Sequence, residues 1–373
     1  MPMKILISGG GTGGHIFPAL SIANAVKRRY PDAQILFVGA LGRMEMERVP
    51  AAGYEIIGLP VAGFDRRRLW RNFAVVLKML RSMRLARKIL RNFRPDVAVG
   101  VGGYASGPTL KAAQKKGIPT LLQEQNSYAG VTNKLLAKKA DAICVAYSGM
   151  ERFFPADKIV MTGNPVRHEI VTAREDPATA RRALGFDPAR PLVAVVGGSL
   201  GARTVNDAMK LAVEKILEAG ASVLWQTGKL YSDECQEFAA PLMEKWSSER
   251  LQVMPFVSRM DLVYRGAAIL VSRAGASTIS EIQLTGVPSV LIPSPNVAED
   301  HQRHNAMALA DRGAAVMILD KDAREQLGDT VVNLLGDEER LRSIGREALK
   351  MALPSSDDKI VDRLVELIEK PSK

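Results

Sequence analysis

Cysteine is almost missing from this chain. Only Cys144 and Cys235 occur, one in a strand-like and one in a helix-like context. A single pair so far apart argues against a disulfide framework and fits reduced thiols in a cytoplasm. Long uncharged apolar runs are missing too, so no membrane-spanning helix is expected. The N-terminus lacks a basic, apolar and cleavage region in order, so export is not expected. No G-x-x-x-x-G-K-[ST] string occurs, which excludes a P-loop ATPase. Acid is missing from one long segment: residues 66–94 hold nine arginines, two lysines and no Asp or Glu. The net charge is +11, so this segment carries the whole excess and the rest of the chain balances. A nucleic-acid binder would spread its bases more widely. Leu69, Trp70, Phe73, Val76, Leu77, Leu80 and Met83 recur through the same segment at helical spacing, so it is apolar as well as basic.

Short apolar runs alternate with helix-like patterns throughout. In the first half they are Lys4–Ser8, Gln34–Gly39, Asp96–Val101, Thr120–Gln123, Ala142–Ala146 and Lys158–Thr162. In the second they are Pro191–Val196, Ser222–Gln226, Gln252–Pro255, Ala268–Ser272, Ser289–Ile292 and Ala315–Leu319. That rhythm predicts parallel sheets in βαβ units, an α/β fold. "ILISGGGTGGH" opens the first half and "VAVVGGSLGAR" the second. Each is a buried strand, a glycine-rich turn and a helix start, so two doubly wound domains are expected. The division reads as residues 1–165 plus 355–373, and 166–354. Gly163–Pro191, with its proline, glycine and charge, reads as the hinge, and Pro354 as a break before a closing helix over Asp357–Lys370.

A strand, a glycine turn and a helix N-terminus together bind anions through free N–H groups and the helix dipole. Two such loops opening two matched halves point to a diphosphate. Gly9-x-Gly11-x-x-Gly14 fits the dinucleotide fingerprint, but that motif also needs an acid at the end of the second strand. The ends read Val38-Gly39-Ala40 and Gln226-Thr227-Gly228, so nicotinamide and flavin are disfavoured. His301 and His304 lack a third ligand nearby, so no metal site is expected there. Asp320-Lys321-Asp322 reads as a helix N-cap. A diphosphate-binding enzyme and a basic nucleic-acid binder without catalysis remain to be separated at this point.

"GGGTGGHIFPALSIA", "VGVGGYASGP", "EQNSYAGVTNKLLA", "TGNPVR", "GGSLGAR", "SRAGASTISE" and "EDHQRHNA" follow one another in this order. Together they resemble the bacterial undecaprenyldiphospho-muramoylpentapeptide β-N-acetylglucosaminyltransferases of glycosyltransferase family 28, from about Lys4 to the last helix. The resemblance implies a GT-B fold, two Rossmann-like domains facing across a cleft, with the donor mainly on the C-terminal domain. It implies transfer of GlcNAc from UDP-GlcNAc to the C4 hydroxyl of MurNAc in lipid I, giving lipid II with inversion. Its partners would be UDP-GlcNAc, the undecaprenyl-linked muramoylpentapeptide, an anionic membrane surface and other cell-wall synthesis proteins, with no nucleic acid. The location implied is peripheral, on the cytoplasmic side of the inner membrane. No cofactor and no metal for donor binding is implied.

Residue by residue, the resemblance gives Ser199 and Arg167 to the diphosphate; the bland role of Ser199 is a helix N-cap. Glu281 would accept the ribose hydroxyls, within a donor stretch of Ala276, Ser277, Thr278, Ile279, Ser280 and Glu281. The Val257 backbone would read the uracil edge, and Gln302 and Asn305 the GlcNAc hydroxyls. Thr12, Gly13, Gly14 and Asn126 would complete the site. His15, at a helix start where the dipole disfavours imidazolium, would act as general base, with Glu124 as the competing base. Gln123 stands where many relatives carry histidine. Leu69, Trp70, Phe73 and Leu80, set among the arginines, would dock on the membrane.

Overall fold

The computed structural model describes residues 2–11, 13–61, 72–297 and 300–369, with side chains of 72–76 outside that description. The chain divides into two compact units, 1–167 with 353–373, and 168–352.

The first unit is built on β1 (Lys4–Ser8), α1 (Gly13–Arg29), β2 (Gln34–Ala40), α2 (Glu45–Ala51), β3 (Glu55–Leu59), α3 (Asn72–Phe93), β4 (Val97–Gly100), α4 (Ser106–Lys115), β5 (Thr120–Glu124), α5 (Val131–Ala137), β6 (Ala142–Val145) and β7 (Ile159–Met161). Its sheet has the order β3-β2-β1-β4-β5-β6-β7, with Ile5 paired to Ile35 on one side and Val97 on the other, all parallel. The alternation along β1 explains why its run is unbroken apolar. Ile5 and Ile7 point into a core with Ile16, Ile22 and Val26 of α1, and with Ile360 and Leu364 of the closing helix Ser356–Glu369. Leu6 points the other way, against Ile89 and Leu90 of α3, Leu110 of α4 and Leu136 of α5. A strand covered on both faces has no polar side to show. Arg28 holds Asp357 at 2.5 Å, fastening the closing helix to α1.

The second unit contains α6 (His168–Thr172), α7 (Pro177–Ala183), β8 (Leu192–Val196), α8 (Arg203–Glu218), β9 (Ser222–Gln226), α9 (Ser232–Lys245), β10 (Leu251–Met254), α10 (Met260–Gly266), β11 (Ala267–Ser272), α11 (Ala276–Thr285), β12 (Ser289–Leu291), α12 (His301–Ala310), β13 (Val316–Met317), α13 (Ala323–Leu335) and α14 (Glu338–Lys350). Its sheet order is β10-β9-β8-β11-β12-β13. Val193, Val195, Trp225 and Val271 pack beneath Val205, Met209 and Val213 of α8 and Leu327 and Val331 of α13. Trp225 is fully buried, and its Nε1–H donates to Asn206 Oδ1 at 3.0 Å. Without that acceptor the buried donor would cost about 1–3 kcal/mol.

Three expectations change. β3 lies at a sheet edge and had no place among the expected strands. Its run "EIIGL" is only half covered and lacks the continuous apolar signature of its neighbours. Much of the expected hinge is folded, because α6 and α7 occupy it. Pro177 sits in the first turn of α7, where its missing N–H does no harm, and Asp176 caps the helix by accepting from Ala178 and Thr179 N–H at 3.0 Å. Arg181 Nε then donates to Gly266 O at 2.8 Å, tying α7 to α10. The Asp320–Asp322 string does not cap α13, since Asp322 makes no side-chain capping bond. Asp320 instead pairs with Arg273 and accepts from Thr204 Oγ1 at 2.9 Å.

Candidate active site

In each unit the glycine loop leaves the strand at which the sheet order turns. β1 lies between β2 and β4, and β8 between β9 and β11. Loops at the carboxyl ends of such strands splay apart and leave a crevice for a ligand. In the first unit Gly13, Gly14 and His15 open α1 after β1, Glu124 ends β5 and Asn126 follows it.

His15 is half-buried in the first turn of α1. Its ring lies on Gly102, in the loop after β4. A Cβ at Gly102 would sit 2.9 Å from both Cδ2 and Nε2 of His15, and Gly102 has φ +91°. A Cβ at Gly103 would come within 2.2 Å of the Gly10 carbonyl oxygen. The glycines thus let two loops and an imidazole meet at backbone distance. Thr12 lies outside the described residues. Gly13 and Gly14 open α1.

An acid does serve the first glycine loop, and the strand-end test missed it. Glu45, at the start of α2, is fully buried. Its Oε2 accepts the Gly11 N–H at 2.9 Å and its Oε1 the Ala40 N–H at 2.9 Å. A Cβ at Gly10 would fall 2.3 Å from this carboxyl group. The acid of a dinucleotide site faces a ribose, whereas this one binds the loop itself.

Glu124 is 2% exposed. Its Oε1 accepts from Asn126 N and Nδ2 at 3.1 and 3.3 Å, and its Oε2 from Gly130 N and Asn133 Nδ2 at 3.0 and 2.9 Å. Burial raises its pKa above the ordinary carboxylate value, against the opposing pull of these donors. With both oxygens engaged twice, Glu124 shapes the loop carrying Asn126. Gln123, also buried, donates to Asn164 Oδ1 at 2.9 Å, and Asn164 Nδ2 returns a bond to Gln125 O at 2.9 Å. Gln123 is therefore part of a buried amide ladder.

In the second unit, Gly198 and Gly201 both have positive φ, and Gly201 N–H closes the turn on Gly198 O at 3.0 Å. The loop is clasped from the turn after β9, where Lys229 N–H donates to Ser199 O at 3.1 Å. Ala202, not Ser199, is the N-cap of α8, so the bland capping role of Ser199 is not the one observed. Val257 is buried and its N–H donates to Gln226 Oε1 at 2.9 Å, which already engages that half of a backbone readout. Ala276, Ser277, Thr278, Ile279, Ser280 and Glu281 form the first turns of α11. Glu281 is 5% exposed and accepts the Tyr264 hydroxyl at 2.6 Å on Oε2; it is not a solvated helix acid. Gln302 Oε1 accepts from Ser294 N at 2.9 Å. Asn305 is fully buried and donates to Ala274 O at 3.3 Å. In this structure Asn305 supports the loop before α11. Arg167 is half-buried at the end of the first unit's main segment.

Leu69 and Trp70 lie outside the described residues, as does the side chain of Phe73. Leu80 is 50% exposed and Leu77 54% on α3, beside exposed Lys78, Arg81 and Arg84. Among the described residues no helix is long and apolar enough to cross a membrane, and no group of three or more His, Cys, Asp or Glu could hold a metal ion.

Residues 5–145 match the glycosyltransferase family 28 N-terminal domain, and residues 192–360 the family 28 C-terminal domain. The chain belongs to glycosyltransferase family 28. Within this family it is 56% identical, over 98% of its length and 99% of the relative's, to the UDP-N-acetylglucosamine--N-acetylmuramyl-(pentapeptide) pyrophosphoryl-undecaprenol N-acetylglucosamine transferase of Parabacteroides distasonis. It is 49% identical to the protein of the same name from Cytophaga hutchinsonii, over 100% of its own length and 99% of that relative's. Among solved structures, MurG of Acinetobacter baumannii superposes with a TM-score of 0.78 at 28% identity, covering 98% of this chain and 100% of that one. A putative UDP-N-acetylglucosamine 2-epimerase of Listeria monocytogenes, at 14% identity and a TM-score of 0.70 over 100% and 98% of the two chains, shares the fold. As a family 28 member, the chain is a two-domain α/β glycosyltransferase of GT-B type.

Proposed function

We propose that this chain transfers N-acetylglucosamine from UDP-GlcNAc to the C4 hydroxyl of the muramoyl sugar in undecaprenyl-diphospho-muramoylpentapeptide, forming the β(1→4) bond. The observation that carries this reading is its 49–56% identity, over essentially the full chain, to transferases named for that donor and that acceptor. The C4 oxygen attacks the anomeric carbon opposite the UDP oxygen. The carbon–oxygen bond to UDP breaks with its electron pair, and the hydroxyl proton passes to His15. Charge developing on UDP is met by N–H groups at the loops opening α8 and α11, with Ser199 and Arg167 as side-chain donors. Glu281 accepts the ribose hydroxyls. Glu124 acts through Asn126 as a positioning residue.

The acceptor is tethered by a polyprenyl chain, so the enzyme works at the cytoplasmic membrane surface. The α3 segment serves as the docking element, with Leu77 and Leu80 entering the interface and the bases meeting anionic headgroups. The runner-up is the 2-epimerase reaction, which would need no acceptor. The test is UDP release from UDP-GlcNAc with and without a lipid-linked muramoylpentapeptide. Acceptor-dependent release with a new disaccharide lipid supports the transferase. Acceptor-independent epimerisation of the donor overturns it.

A further inference from the structure

Glu281 is a buried acid of the second unit, and its carboxylate accepts a hydrogen bond from a side chain on another helix. Tyr264 lies on α10, 17 residues earlier in sequence, and its hydroxyl donates to Glu281 Oε2 at 2.6 Å. Both residues are buried, at 4% and 5% exposure. The distance is in the range of a charge-assisted O–H···O⁻ bond, about 2.5–2.7 Å. α10 is itself anchored. Arg265 Nε donates to Glu175 O at 2.9 Å, and Arg181 reaches Gly266 O at 2.8 Å. A glutamate has three side-chain torsions to fix before it can meet two vicinal hydroxyls, and a carboxylate has about four acceptor directions. A phenol held on a braced helix removes much of that freedom by taking one direction.

We infer that Tyr264 is a positioning residue that sets specificity for a ribonucleoside diphosphate, by holding the Glu281 carboxylate in the plane that accepts ribose hydroxyls. The inference rests on the reading of Glu281 as the ribose acceptor. Tyr264 touches no reacting atom. Its effect is on ground-state donor recognition, so it appears in donor affinity and not in turnover at saturation.

The test compares the Kd for UDP and for 2′-deoxy-UDP, and kcat and KM for UDP-GlcNAc, in wild type, Tyr264→Phe and Glu281→Ala. Wild type should prefer UDP by about tenfold or more, the usual size of one hydrogen bond to a charged group. In Tyr264→Phe that ratio should fall to within about threefold of unity, through weaker UDP binding with little change for 2′-deoxy-UDP. KM should rise and kcat hold within about twofold. Equal weakening of both nucleotides in Tyr264→Phe would mean a merely structural role and overturn the inference. So would an unchanged ratio in Tyr264→Phe together with a lost ratio in Glu281→Ala, which leaves the Glu281 reading standing. If the ratio survives in Glu281→Ala, the ribose reading itself fails. A check that needs no stable Tyr264 variant is the hydroxyl proton of Tyr264 in the wild-type protein. It should give a slowly exchanging downfield resonance, and its absence would remove the premise.

Discussion

Gly102→Ala adds one methyl group, and the structure says where it goes. The new Cβ would sit 2.9 Å from Cδ2 and Nε2 of His15, where 3.4 Å is ordinary contact. The ring must retreat by about half an ångström. Misplacement of a reacting group by about 1 Å can cost about 10²-fold, so turnover should fall by roughly tenfold if His15 is the base. The same methyl also strains the backbone, because Gly102 has φ +91°; a side chain in that region costs roughly 1–2 kcal/mol. The two effects separate with a control. Gly117 also has positive φ, +72°, and a Cβ there would meet nothing within 4 Å. Gly117→Ala therefore carries similar backbone strain without touching the site. Both variants should lose a few degrees in thermal unfolding, at about 2–4 °C per kcal/mol for a unit of this size. Only Gly102→Ala should lose turnover, read as kcat at saturating donor and acceptor. Should the two variants keep kcat within twofold of each other, His15 is not the group whose position limits the reaction.

Glu124→Gln places an amide NH₂ where the carboxylate now meets only donors, from Asn126, Gly130 and Asn133. It should destabilise the protein by about 1–3 kcal/mol and lower kcat, and full stability in urea unfolding would contradict the saturated-acceptor description. Donor affinity, measured by calorimetry, should survive a divalent-ion chelator, since the diphosphate is proposed to rest on N–H groups and Arg167; loss of UDP binding on chelation would show otherwise. Leu77→Ser with Leu80→Ser should weaken co-sedimentation with anionic vesicles and leave the fold intact, because both side chains are about half exposed. Binding should also fall as salt rises, and unchanged binding in the double variant would leave α3 without a docking role.

The parallel strands were legible because a strand buried on both faces is written as a continuous apolar run, and Lys4–Ser8 and Ser222–Gln226 are read directly from it. What failed was whatever depends on a residue's partner. The β3 edge strand is covered on too few sides to carry the signature. Pro177 lies in the stretch read as the hinge, yet with Asp176 before it the same proline starts a helix. Asp322 had the position of an N-cap, but the acid in use is Asp320, drawn to Arg273 from 47 residues away in sequence.

Three glutamates show why the site was less legible than the fold. Glu45, Glu124 and Glu281 are 0%, 2% and 5% exposed, although glutamate is almost never fully buried unless paired. Each is supported by donors that composition cannot reveal: the Gly11 N–H across 34 residues, the Asn126–Asn133 loop, and the Tyr264 hydroxyl across 17. A carboxylate in low dielectric without such partners would cost several kcal/mol, so each marks a place where the chain has built its own acceptor geometry. In the first unit the acids hold the loops on which Asn126 and the start of α1 depend. In the second the acid has one oxygen bonded to a tyrosine, and it is the one proposed to meet a ligand. That division predicts different failures. Loss of Glu45 or Glu124 should appear first as loop stability and turnover, whereas loss of Glu281 should appear first as donor affinity.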